Sequence, residues 1–485
     1  MLKVFAQNSL VYGLANVIQK AVDYLANVVF IYLLSTSEYG IMALLPLIMT
    51  VMMPLLSLQL GASITRYYYK YLKSDEVSLF LGSVLSYMMI ILCGLSIFYV
   101  FCSELLWRVI FPEISFVPYI VIAILITAAD SINRTYITVL QIKKQVKRYA
   151  IFNNCYILFR VLFIIVAIYF NKTAYSYYVA YLCVVVTFVP ISLYLLKSDV
   201  IWNLRKQYVI EAFKYASYIL PVSIFIIANT FIDRHVIMKQ LDMNSVGVYS
   251  AGVNVGQIIY FMAMVFNVAF LPFFMQAYEE DTNTFSKRIE PVYRIIFFVL
   301  NIAAFLLTVL SPLLVYVLPV TFHDAIKVVP FIAFLGVGQG LYQLYTNILS
   351  LDVEMLRFKI LGVIISLLIN IPLSYYLVNI MGIIGAAASS LLCMYISAFV
   401  YKLIVYKSKG PDLSFDFFVL PVCMFLVAML VFECEKSLPL YIMIVIYLII
   451  GGGMFYYFDN LYFKRKNFVI DILKKVCCYV KNGYK

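Results

Sequence analysis

The stretch Tyr12-Gly-Leu-Ala-Asn-Val-Ile-Gln-Lys-Ala-Val-Asp-Tyr-Leu-Ala-Asn27 decides how this chain is read. It is apolar enough to enter a bilayer, yet it carries Asn16, Lys20, Asp23 and Asn27. Steps of four, three and four residues put these side chains on one helical face, with Tyr12 one turn earlier. An ionised side chain near the centre of a bilayer costs at least about 2.5–3.5 kcal/mol. Helices keep such groups where they face water, another helix or a polar ligand. This face is therefore expected to line something polar.

The rest of the composition agrees with a membrane setting. Of 485 residues, 65% are hydrophobic and 12% charged, against roughly 45–50% and 25% in soluble domains. Long apolar runs recur with short polar breaks, and no region is long and polar enough for a soluble domain. The first run is too long and too polar for a leader segment and is expected as a retained membrane helix. The 9 Cys show no metal-binding spacing, and only His235 and His323 are present. A metal centre or His-driven catalysis is not expected. The net charge of +12 sits at membrane edges, which fits topology and anionic lipid rather than nucleic acid.

Hydropathy and turn signals predict about fourteen spans, each near the roughly 20 residues a bilayer requires. They run 7–34, 38–66, 77–103, 116–141, 149–170, 174–197, 213–238, 244–275, 289–318, 327–351, 358–378, 381–405, 416–433 and 439–458. With the N-terminus inside, the outer loops hold only Arg108, Lys172, Lys239, Lys327 and Lys436. Most other Lys and Arg fall on inner loops and the tail, the asymmetry expected for cytoplasmic termini. The expected domains are an N-lobe (1–198), an amphipathic inner linker (199–212), a C-lobe (213–405), two further helices (406–458) and a basic tail (459–485). In the linker, Trp202, Leu204, Val209 and Ile210 alternate with Arg205, Lys206 and Glu211, a pattern suited to an interfacial helix.

An internal repeat supports two parallel halves. A shift of 207 residues brings Tyr39-Gly40 onto Val246-Gly247, Ala62 onto Ala269 and Tyr71 onto Tyr278. Each Gly follows a short outer turn and opens a long helix. Repeats that run in the same direction are related by an axis along the membrane normal, as in some transporters. The expected fold is an all-α polytopic membrane protein, with two pseudo-symmetric six-helix lobes and two C-terminal helices.

The chain resembles the oligosaccharide flippases, Wzx-type, of the multidrug/oligosaccharidyl-lipid/polysaccharide (MOP) superfamily. The resemblance rests on Ser37-Glu38-Tyr39-Gly40, on the basic loop Lys143 to Tyr149, and on Asn370-Ile371-Pro372 followed by Gly382-Ile383-Ile384-Gly385-Ala386-Ala387. It implies alternating access and export of an undecaprenyl-diphosphate-linked oligosaccharide for O-antigen or capsule synthesis. It also implies residence in the bacterial inner membrane, and a polysaccharide polymerase and a chain-length regulator as partners. No cofactor is implied beyond coupling to Na⁺ or H⁺.

That substrate gives the intramembrane charges a role. A diphosphate cannot enter hydrocarbon without replacement of its water, and Arg binds phosphate oxygens bidentately. Lys20, Arg134 and Arg160 are candidate diphosphate ligands, with Asn16 and Asn27 beside them. The other reading is structural pairing, Lys20 with Asp23 and Arg134 with Asp130. Asp23, Asp130, Asp233 and Arg234 are candidate coupling-ion or gating groups; the Asp233-Arg234-His235 cluster also reads as an interfacial rim. Gln339, Gln343 and Asn347 share one face and suit sugar hydroxyls or interhelical hydrogen bonds. Pro46, Pro54, Pro221 and Pro272 mark expected hinges. A drug or lipid-precursor exporter of the same fold is the nearest alternative. A membrane polysaccharide polymerase fits less well, because the outer loops are short and Glu38, Glu104 and Glu113 form no paired-acid arrangement.

Overall fold

The computed structural model describes residues 19, 22–74, 76–110, 114–143, 145–280, 285–351, 358–407, 418–419, 421–426 and 429. Among them there is no strand. Eight of the described helices are long and apolar enough to cross a membrane, or ten if each of two bent pairs is one span. The spans expected at 416–433 and 439–458 and the tail 459–485 lie outside the described residues, apart from a few positions between 418 and 429.

The helices follow the apolar runs. They are α1 (Val22–Leu33), α2 (Thr36–Ser57), α3 (Leu60–Lys73), α4 (Val77–Cys102), α5 (Glu104–Ile110), α6 (Val121–Ile142), α7 (Val146–Phe170) and α8 (Ala174–Leu196). Then come α9 (Lys206–Gln240), α10 (Met243–Gly256), α11 (Ile258–Glu280), α12 (Phe285–Val315), α13 (Val329–Leu349), α14 (Lys359–Met381) and α15 (Ile383–Lys407). A π turn (Phe116–Ile120) leads into α6, and a 3₁₀ segment (Val320–Lys327) precedes α13.

The chain forms two compact units. The first holds residues 1–255, 315–328 and 357–397; the second holds 256–314, 329–356 and 398–485. The first unit thus takes in helices from both sides of the expected linker. Within it α6 packs on α2 and α8, α7 on α8, and α9 on α2, α3, α4 and α14. Within the second, α11 packs on α13. Lipid tails are as apolar as Leu, so such contacts are stabilised by close packing and by interhelical hydrogen bonds. Asn133 of α6 supplies both kinds of bond to α8: its amide donates to the Val185 carbonyl at 3.1 Å, and its oxygen accepts from Ser192 at 2.7 Å.

Three expectations change. The span 38–66 is two helices, broken at Leu58 and Gln59, which both take left-handed backbone (φ 47° and 57°). Pro46 and Pro54 lie inside α2, so the break sits after them rather than at them. The span 244–275 bends by 42° between α10 and α11. The linker is not a separate interfacial helix. From Lys206 it is the start of the 35-residue α9, because no Gly or Pro interrupts Lys206 to Leu220.

The start of α9 is clasped by α3. Glu211 accepts hydrogen bonds from Lys70 and from the Tyr71 hydroxyl. Burial raises the Glu211 carboxyl, but these two bonds and the Lys70 charge outweigh it, and the net shift is downward. Upstream, Asp199 pairs with Lys143, and the Ile201 amide donates to the Ser78 carbonyl at 3.0 Å.

Two helix starts are tied together by the Ser-Glu motif. Ser35 caps α2 by accepting from the Glu38 amide at 3.3 Å. Glu38 does not return to Ser35 as in a capping box; its carboxylate accepts from the Ala174 amide, the first of α8. It therefore places a negative charge at a helix N-terminus and satisfies an otherwise unpaired donor. Glu38→Ala is expected to lower stability by about 1 kcal/mol, with Glu38→Gln retaining part of it, read as thermal unfolding of purified protein.

Candidate functional site

The polar face of α1 meets α7 in the first unit. Gln19 accepts from Asn153 at 3.3 Å, and Asp23 accepts from Arg160. Arg160 also donates to the Tyr181 hydroxyl of α8 at 3.3 Å and lies over its ring at 5.3 Å. Asn27 bonds back along its own helix, donating to the Asp23 backbone carbonyl at 2.8 Å. Asp23 is thus held by a cation on another helix, where the sequence pointed to Lys20. Lys20 and Asn16 lie outside the described residues.

A second cluster lies on α6 and α7. Arg134 donates through Nε to Asp130 at 2.6 Å, and Tyr156 donates to the other Asp130 oxygen at 2.6 Å. Spacings of four, Asp130 to Arg134 on α6 and Tyr156 to Arg160 on α7, place both pairs on single helix faces.

The two arginines differ in access. The Arg160 side chain is 14% exposed, with both terminal nitrogens engaged. The Arg134 side chain is 54% exposed over a carboxylate that is 4% exposed. Its Nε is fixed by Asp130, which leaves the terminal nitrogens to donate elsewhere. Asp130 and Tyr156 therefore orient the guanidinium of a half-exposed side chain, an arrangement suited to oxyanion binding. Arg160 and Asp23 form a supporting pair.

The other expected acid, Asp233 of α9, is buried. It accepts from Tyr249 at 2.9 Å and from Ser390 of α15 at 2.6 Å. Arg234, next to it, turns away to donate to Ser250 at 3.1 Å and lies over the Tyr249 ring at 5.6 Å. A buried carboxylate ringed by hydroxyls offers oxygen ligands to a small cation, or a site for a proton. Among the described residues no cluster of three or more His, Cys, Asp or Glu could hold a metal ion.

In the second unit, Gln339 and Gln343 are buried in α13. Asn347 donates to Asn267 of α11 at 2.6 Å. Gln343 and Asn267 line a small cavity of about 10 Å³, room for about one water molecule, with Phe266, Phe270, Tyr293 and Phe297. Amides beside aromatic faces suit neutral, hydroxyl-bearing groups.

Tyr156, Tyr181, Tyr249 and Ser390 were not among the expected site residues. Tyr156 had a signal, its position one turn before Arg160. The others come from distant helices and had none.

The fold recurs in solved transporters. A structure of the lipid II flippase MurJ in an inward closed conformation aligns with a TM-score of 0.67 at 14% identity, covering 94% of this chain and 99% of that one. An inward-facing multidrug resistance MATE family transporter of the MOP superfamily aligns with a TM-score of 0.63 at 13% identity, over 80% and 94%. A Vibrio cholerae MATE transporter, VcmN, aligns with a TM-score of 0.60 at 11% identity, over 84% and 96%. At these identities the likeness is one of fold. No curated protein matches the chain. The family model for polysaccharide biosynthesis protein matches residues 5–278, more than half of the chain. The chain is a multi-pass membrane protein with the fold of MOP-superfamily transporters, and it belongs to the polysaccharide biosynthesis protein family.

Proposed function

We propose that the protein flips an undecaprenyl-diphosphate-linked oligosaccharide repeat unit from the cytoplasmic to the outer leaflet of a bacterial inner membrane, by alternating access, in the synthesis of O-antigen or capsule. The observation that carries this reading is Arg134, a half-exposed side chain whose guanidinium is oriented by buried Asp130 and Tyr156 within an apolar helix bundle. Family membership and a fold shared with a lipid II flippase support it. Lys20 adds positive charge to the same half, and Gln339, Gln343 and Asn347 serve the neutral sugars. In this reading both termini lie in the cytoplasm, which the Lys/Arg asymmetry supports. The protein performs no covalent chemistry; a polymerase and a chain-length regulator act on what it delivers.

Asp233 is the coupling site, taking Na⁺ or H⁺ with the Ser390 and Tyr249 hydroxyls as further ligands or partners. A buried acid of this kind also suits a cation-coupled drug exporter, the second reading, which the MATE likeness favours. Proteoliposomes separate the two. Transfer of lipid-linked oligosaccharide without efflux of cationic dyes is expected; dye efflux without oligosaccharide transfer would reverse the assignment. Asp233→Asn is expected to remove the stimulation of transfer by an imposed Na⁺ or pH gradient while the protein still reaches the membrane. Undiminished stimulation would remove Asp233 from coupling.

A further inference from the structure

Gly40 and Gly247 occupy equivalent positions in the two halves, 207 residues apart, as do Thr36 and Met243. In the structure the two glycines meet. A Cβ on Gly40 would overlap the Met243 carbonyl oxygen and lie 3.1 Å from the Gly247 nitrogen. A Cβ on Gly247 would overlap the Thr36 carbonyl oxygen and lie 3.2 Å from the Gly40 nitrogen. The contact is reciprocal, each glycine resting on the residue four before the other. That is the arrangement of a self-complementary interface about a two-fold axis.

The crossing of α2 and α10 is therefore backbone against backbone, an approach that only residues without a Cβ allow. Three side-chain contacts surround it. Thr36 donates to the Asn244 side-chain oxygen at 2.8 Å, and Asn254 donates to the Tyr39 hydroxyl at 2.6 Å. The Tyr39 ring, fully buried, stands edge-on to Phe322 of the 3₁₀ segment at 5.6 Å. No ion pair takes part in these contacts, so parting them strands no charge in an apolar setting. The crossing lies just after the short turns that lead into α2 and α10, at the ends expected to face outward.

We propose that the Gly40–Gly247 crossing is the outer seal of the transport path, a close-packed contact between the two repeats that must part in each cycle. This rests on the alternating-access reading above. A methyl group at either glycine holds the outer ends apart and biases the protein away from the sealed state, since packed contacts are not continuously deformable.

The test places cysteines at Thr36 and Asn244 in the full-length protein in native membranes. Oxidative cross-linking is read as the linked peptide by mass spectrometry, beside transfer of lipid-linked oligosaccharide. The cross-link is expected to form efficiently, and its yield to fall roughly tenfold when Gly40→Ala or Gly247→Ala is added. Gly94→Ala, where a Cβ meets nothing within 4 Å, is expected to leave the yield unchanged. Oxidised protein is expected to stop transferring substrate, and a thiol reductant to restore it. Unchanged yield in both glycine variants, or full transfer by cross-linked protein, would overturn the proposal. Should an alanine variant fail to reach the membrane, transfer by the oxidised glycine-containing protein decides. The cross-linking arm needs no substrate. If reduced protein and wild type transfer no oligosaccharide, the flippase reading fails, while the crossing is still judged on yield.

Discussion

Arg134→Lys is expected to weaken binding of a diphosphate-bearing lipid roughly tenfold or more, at unchanged levels of protein in the membrane. The substitution keeps a cation four residues from Asp130, so the buried carboxylate retains a partner. What it removes is the planar fork. In the wild type, Nε is engaged by Asp130 at 2.6 Å, and Asp130 is in turn fixed by Tyr156 at 2.6 Å. The guanidinium plane is thereby set before a ligand arrives, and the terminal nitrogens are left to donate elsewhere. A Lys ammonium that binds Asp130 has only one nitrogen, so its remaining N–H donors form no planar fork. Arg134→Ala is expected to have the larger effect, because it also leaves Asp130 buried without its cation. Tyr156→Phe, which frees one carboxylate oxygen but keeps the charge pair, is expected to fall between wild type and Arg134→Lys. Titration of purified protein with undecaprenyl diphosphate reads all three.

Removing either member of the Asp23–Arg160 pair is expected to cost about 3–5 kcal/mol, because the remaining charge is left without its partner in an apolar bundle. The side chains are 29% and 14% exposed, so little water is at hand to replace the lost contact. Arg160→Ala also loses the stacking of the guanidinium on Tyr181. The double variant Asp23→Asn/Arg160→Gln is expected to recover most of the stability, since neither member is then an isolated ion. The thermal midpoint of detergent-solubilised protein separates this from a pure binding role. If Asp23→Ala and Arg160→Ala unfold at the wild-type temperature, the pair is not structural.

Much of this arrangement was written locally in the sequence. Asp130 and Arg134 are four apart on one apolar run, and the structure pairs them. The long runs over 77–103, 149–170 and 174–197 became α4, α7 and α8 with shifts of a few residues. Where tertiary packing decides, local signals pointed elsewhere. Asp23 has Lys20 one turn away, yet its described partner is Arg160, 137 residues on, chosen by the packing of α1 against α7. In sequence, Asp233 is only one of three adjacent polar residues. Its environment is made by Tyr249 and by Ser390, 157 residues away, neither of which a local window can connect to it. The break after α2 was likewise hidden. Pro46 and Pro54 are the residues with a physical reason to bend the helix, but the left-handed positions are Leu58 and Gln59, residue types that carry no turn signal.

The repeat was legible from a handful of matches, and one of them became a contact. Gly40 and Gly247 are equivalent positions after equivalent turns. The structure gives a reason for both being glycine: a Cβ on either would overlap the backbone of the facing helix.

The most direct test of the diphosphate assignment is transfer of an undecaprenyl-diphosphate oligosaccharide across proteoliposomes, read by a membrane-impermeant glycosidase. Wild type and Arg134→Ala would be reconstituted at equal density. Transfer by wild type, and none above protein-free vesicles by Arg134→Ala, is the expected result; equal transfer by both would contradict the role given to Arg134.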